Sequence, residues 1–143
     1  MKLLAELLQK AGQSVHVLLG GQTNAQMRNQ LLALKDAIAP VIVCATGKFI
    51  GEGFDDSRLD TLFLTMPISW RGTLAQYVGR LHRLHEGKRE VRVYDYIDVN
   101  AAMLEKMYHK RLRGYASIGY SVLTEQDAGL GGDVIYDQVT FQN

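Results

Sequence analysis

Leu3, Leu4, Leu7, Leu8 and Ala11 recur at helical spacing, and Gly12 stands where that helix would end. Val15–Leu19 is a short apolar run followed by Gly20 and Gly21, which predicts a strand. Thr23-Asn-Ala-Gln26 reads as a capping box, in which each side chain satisfies a backbone N–H left over at a helix start. Met27, Leu31, Leu34 and Ile38 continue at spacings of three and four, and Pro40 stops that helix. Val41–Ala45 is a continuous apolar run, the pattern of a strand covered on both faces. Thr46–Leu59 is rich in glycine and aspartate and has no helical period, so a loop is expected. Thr61–Thr65 predicts a third strand, ended near Pro67. Thr73-Leu-Ala-Gln76 is a second candidate capping box, opening a helix through Arg83. Val91–Ile97 predicts a fourth strand, and Asp98 is placed to cap a helix running to Arg113. Tyr115–Leu123 and Val134–Phe141 predict two more strands around a Gly-Leu-Gly-Gly turn.

Strands alternating with helices imply an α/β fold with a mainly parallel sheet, to which the last two strands add an antiparallel edge. The 143 residues fit one domain, with a core over 1–113 and an extension over 114–143. No internal repeat or linker divides them. The composition is 47% hydrophobic and 22% charged with 2 Pro, which excludes collagen-like, low-complexity and disordered chains. The single cysteine, Cys44, excludes an intramolecular disulfide framework and a Cys-rich zinc site, and is read as a core residue. No apolar run approaches the roughly 18 residues of a membrane span. Glu6, Gln9 and Lys10 interrupt the first leucines, so no signal peptide is read there, and the cytoplasm is the expected compartment.

Charge changes the picture more than composition does. Residues 71–113 hold ten Lys/Arg against five Asp/Glu, a balance of +5 in a chain whose net charge is +1. The last twenty residues carry Glu125, Asp127, Asp133 and Asp137 and no Lys or Arg. The basic middle either attracts a polyanion or is the solvated surface of ordinary helices.

Two segments carry candidate chemistry. Thr46-Gly47-Lys-Phe-Ile-Gly51-Glu-Gly53 matches the glycine pattern of short-chain dehydrogenases as a string. Dinucleotide binding, however, needs a helix N-terminus directly after the glycines. Only Phe54–Asp60 separates Gly53 from the next strand, and no Tyr is followed four residues later by the Lys of that family's catalytic pair. The second segment is Gln76-Tyr-Val-Gly79-Arg80-Leu-His-Arg83. On a helix, Gln76, Gly79, Arg80 and Arg83 share one face, and Leu74, Tyr77, Val78 and Leu81 share the other. Docking the apolar face sends two guanidinium forks outward, a donor geometry suited to phosphate. An amphipathic helix with solvated arginines is the plainer alternative.

Taken together, these segments resemble the C-terminal RecA-like lobe of superfamily 2 helicases, over roughly Leu3 to Arg113. Thr46-Gly-Lys-Phe-Ile-Gly-Glu-Gly53-Phe-Asp55 looks like motif V, and Gln76–Arg83 looks like motif VI, in the family's order and separation. The Gly-Glu-Gly-Phe-Asp form is closer to repair and restriction-enzyme motors than to DEAD-box RNA helicases.

The resemblance implies that Arg80 and Arg83 are arginine fingers reaching ATP held on a first motor lobe. Gln76, Gly53 and Asp55 would contact the nucleotide or relay its state. Thr46, Gly47, Gly20 and Gly21 would face a nucleic-acid backbone. Lys48 replaces an acidic residue common in RNA helicases, so DNA is favoured over RNA as partner. No Gly-x-x-x-x-Gly-Lys-Ser/Thr and no Asp-Glu-x-x box occurs in the chain. ATP and Mg2+ are therefore expected in the complete two-lobe enzyme, with neither held tightly, and no hydrolysis, by this chain alone. A non-catalytic module that binds nucleic acid or a protein is the alternative. The family also places a strand carrying motif IV before the helix of Leu3–Ala11. This chain lacks it there, so the sheet either closes differently or is completed by another segment, for which Val134–Phe141 is a candidate. Trp70 is expected to pack over the motif VI helix. His82 and His85 lack a third ligand and are read as surface or interface histidines.

Overall fold

The structure, a computed structural model, describes residues 1–38, 40–47, 54–66, 68, 74–98 and 100–123, and the backbone of 136–142. It is a mixed α/β chain of two compact units, Met1–Phe54 and Asp55–Asn143.

The first unit runs α1 (Lys2–Lys10), β1 (Val15–Leu18), α2 (Asn24–Asp36) and β2 (Ile42–Ala45). Gly12, at φ 80°, closes α1: its N–H bonds Gln9 O and the next N–H, of Gln13, bonds Leu8 O. Two carbonyls at the helix end are satisfied in this way, and the left-handed conformation calls for glycine. The capping box forms as expected. Gln26 N–H donates to Thr23 Oγ1 and Thr23 N–H donates to Gln26 Oε1. β1 and β2 pair in parallel from Val15↔Ile42 to Leu18↔Ala45. Ala5, Leu18, Leu34 and Cys44 are buried. β2 is not covered on both faces as its sequence suggests, since Ile42, Val43 and Ala45 are only half-buried. α1 likewise buries Ala5 but leaves Leu3, Leu4 and Leu7 exposed.

The second unit runs β3 (Thr61–Leu64), α3 (Ala75–Leu81), β4 (Glu90–Tyr96), α4 (Ala102–Ser117), β5 (Ser121–Leu123) and β6 (Tyr136–Gln142). Its sheet has the order β3-β4-β6-β5. β3 and β4 are parallel, and β6 is antiparallel to both β4 and β5. Thus the expected mainly parallel sheet is, among the described residues, a two-stranded parallel sheet and a four-stranded mixed one. The C-terminal strand does join a sheet, but as the neighbour of β4 and β5.

The alternation along β4 sends Val91, Val93 and Asp95 inward and leaves Arg92, Tyr94 and Tyr96 half-buried. The inward face meets Leu74, Val78 and Leu81 at α3 and Leu112 and Tyr115 of α4. Full burial of side chains of this size contributes about 1.5–3 kcal/mol each. On the other face Phe63 stacks on Tyr94, with ring centroids 4.8 Å apart and planes within 6°.

α4 departs from expectation at both ends. It begins after Ala101, not at Asp98, whose Oδ1 instead accepts Asn100 N–H in a turn ahead of the helix. It runs on to Ser117, so the strand expected over Tyr115–Leu123 shrinks to Ser121–Leu123. Tyr108, Arg111 and Tyr115 form one buried helical stripe, and that packing overrides the strand preference of the Tyr and Ile residues. Gly119, at φ 89°, then turns the chain out, with Gly119 N–H on Ala116 O and Tyr120 N–H on Tyr115 O.

Candidate functional site

The residues singled out in the sequence fall at two places, one in each unit. In the first unit, the register partners Leu18 and Ala45 end the two parallel strands side by side. The loops that follow therefore start together, Gly20-Gly21 after β1 and Thr46-Gly47 after β2. Gly20 N–H donates to Thr46 Oγ1 at 3.1 Å, across 26 residues of sequence, and Thr46 N–H donates to Leu18 O at 3.1 Å. Gly21 sits at φ 87°. Carboxyl ends of parallel strands are where open α/β sheets bind ligands. The Thr46 oxygen accepts from the Gly20 amide, and its hydroxyl retains a proton to donate.

In the second unit, α3 carries the motif-VI-like residues. Tyr77, Val78 and Leu81 are buried, and Gln76 and Gly79 are exposed, as an amphipathic helix with those two faces requires. Arg80 lies half-buried in the last turn. Arg83 does not share that helical face, because the helix ends at Leu81 with His82 as its C-cap. It stands two residues beyond the helix and is exposed. Its Nη1 donates to Asp55 Oδ2 in an ion pair whose side chains are 56% and 38% exposed.

The residue after Asp55 is anchored by an ion pair of its own. Asp56 accepts from Arg58 Nε at 2.9 Å, Nη2 at 2.7 Å and the backbone N–H at 3.1 Å. These bonds from Arg58 keep the Asp56 carboxyl below the usual carboxylate range. The structure thus joins Asp55 of the motif-V-like segment to Arg83 of the motif-VI-like segment, and keeps Gln76 and Arg80 on the adjoining helix. Gly53, Trp70 and Thr73 with its capping box lie outside the described residues.

Three groups of the second unit go beyond what the sequence predicts. His82 is no plain surface histidine: it is half-buried and its Nε2 lies 2.7 Å from the hydroxyl of the buried Tyr120. Burial, and then the nearby Lys88 ammonium, lower its pKa from the ordinary 6.5. Lys88 reaches back to the end of α3, where Nζ donates to Leu81 O and Arg83 O, each at 2.9 Å. On the inward face of β4, Arg111 and Asp95 are 1% and 0% exposed and form a two-pronged ion pair of 2.6 and 2.8 Å, joined by the Tyr115 hydroxyl at 3.1 Å. The signal for that pair is parity: Asp95 shares the inward alternation of Val91 and Val93, and an acid at a core position needs a buried cation or donors.

Among the described residues no group of three or more His, Cys, Asp or Glu is placed to hold a metal ion. No helix among them is long and apolar enough to cross a membrane. Compared with models of known protein families, with curated proteins and with solved structures, the chain matches none.

Proposed function

We propose that this chain is the second, RecA-like motor lobe of an ATP-dependent nucleic-acid helicase or translocase, acting on DNA in preference to RNA. The observation that carries the reading is the Asp55–Arg83 pair, which couples the two motif-like segments across 28 residues of sequence. In the complete protein, a first lobe supplies the phosphate loop and the magnesium carboxylate, and ATP sits between the lobes. Arg83 and Arg80 place guanidinium donors on the phosphates, where charge spreads as the phosphoryl group transfers. Asp55 is the counter-charge that keeps Arg83 extended until phosphate oxygens replace it. A half-exposed pair is worth at most about 1 kcal/mol, so that exchange costs little. Gln76 and Gly53 complete the nucleotide contacts. The loop edge of Gly20, Gly21, Thr46 and Gly47 faces backbone phosphates, as a motor that tolerates any sequence needs.

The test is nucleic-acid-stimulated ATP hydrolysis by the two-lobe protein. Arg83→Ala and Arg80→Ala are each expected to reduce turnover by about 10³ or more while oligonucleotide binding persists. Wild-type turnover in both variants overturns the reading and leaves a binding module.

A further inference from the structure

We propose that Lys88 is a positioning residue for Arg83: by hydrogen-bonding the carbonyls of Leu81 and Arg83, its ammonium fixes the step from the end of α3 to the arginine. The functional weight of this inference rests on the role of Arg83 proposed above.

α1 and α4 end on glycines, Gly12 and Gly119, whose left-handed backbone lets two successive amides satisfy the last carbonyls. α3 has no glycine there. His82 is its C-cap at φ −79°, and Arg83 N–H bonds Arg80 O at 3.2 Å. The sequence supplies a side-chain donor from further on. Gly87, at φ 87°, folds the His85–Lys88 turn, in which Lys88 N–H bonds His85 O at 3.1 Å. That turn brings the Lys88 side chain back to the helix it has just left.

Two 2.9 Å bonds to carbonyls two residues apart hold the backbone on both sides of His82. The His82 ring is meanwhile pinned by Tyr120, and the Arg83 guanidinium is aimed by Asp55. A cation is also the favourable group at a helix C-terminus. Gly87-Lys88 looks, as a dipeptide, like the tail of a phosphate loop. In the fold it performs helix capping beside the phosphate-seeking residue.

The experiment is backbone ¹⁵N relaxation on the full chain without nucleotide or nucleic acid, comparing wild type with Lys88→Met and Lys88→Arg. Methionine keeps the apolar stem and removes the donor, while arginine keeps donors that can reach two carbonyls. Order parameters at His82, Arg83 and Leu84 are expected to fall from about 0.85 to below about 0.6 in Lys88→Met, with β4 and α4 unchanged, and to return in Lys88→Arg. Unchanged order at Arg83 overturns the proposal. So does a loss that spreads through β4 and α4, or one that Lys88→Arg does not restore. Because no nucleotide is present, the result is independent of the ATPase test. A motor reading that fails leaves it standing, and its own failure leaves Arg83→Ala hydrolysis unaffected.

Discussion

Arg111 of α4 grips Asp95 of β4 with two nitrogens while both side chains are shut off from water. Arg111 also donates to Ile68 O at 3.0 Å, so a single guanidinium ties the strand to the segment following β3. Breaking such a pair strands a buried charge. Asp95→Asn or Arg111→Met should each cost about 3–5 kcal/mol in urea unfolding. Replacing both with apolar residues of similar volume should recover most of that loss, because the buried charges vanish together. Single variants that unfold like wild type would show that the pair carries no such cost.

That network also depends on contacts that no local pattern in the sequence specifies. Local signals were sufficient for Gly12, the Thr23–Gln26 box and the buried face of α3, since each depends on neighbours a few residues away. The inward parity of Asp95 was equally visible, but its partner lies 16 residues on, in a stretch whose cations look solvated. Arg83 lies off the expected helical face for a related reason. Helical periodicity runs on through residue 83 in the sequence, whereas the helix stops at Leu81, with Lys88 on its last carbonyl. The two-sheet arrangement was out of reach because strand pairing follows no local pattern.

Arg83 should be nearly neutral for stability and decisive for turnover. Its pair with Asp55 is half-exposed, and exposed pairs contribute about 0.2–1 kcal/mol. Arg83→Ala should therefore lower stability by less than about 1 kcal/mol. If the chain is the motor lobe proposed above, the same change in the two-lobe protein should cost about 10³ or more in ATPase rate. A loss of activity that merely tracks a loss of folded protein would refute a phosphate role.

His82 sets a pH dependence of definite sign. Burial, then Lys88, depress its pKa below the ordinary 6.5, so the unfolded chain takes up a proton that the folded chain refuses. This contribution to stability is intact above about pH 6.5 and is lost as pH falls through the folded value. Thermal unfolding between about pH 7.5 and pH 5 should show a falling midpoint, less steep in His82→Gln. Equal slopes in the two proteins would exclude His82 as a source.

The loop edge of the first unit can be tested by contrast between adjacent glycines. Each phosphate neutralised on a single strand contributes about −0.7 to the slope of log affinity against log salt. Three or four contacts by this chain should then give a slope of roughly −2 to −3, with little preference among base sequences. Gly21, at φ 87°, is where a side chain strains the backbone, by about 1–2 kcal/mol. Gly21→Ala should therefore destabilise the unit. A Cβ on Gly20 meets only Thr46 Oγ1, at 3.7 Å, an ordinary contact, so Gly20→Ala should fold normally. If a phosphate approaches that backbone, the added methyl obstructs it. Gly20→Ala should then weaken oligonucleotide binding at an unchanged unfolding midpoint, and Thr46→Val should weaken it too by removing the hydroxyl donor, with some loss of stability because the Gly20 N–H loses its acceptor. Titrations of labelled single strands at several salt concentrations measure both effects. Full affinity in both variants would remove this edge from the nucleic-acid contact and shift the polyanion site to the basic band of residues 71–113.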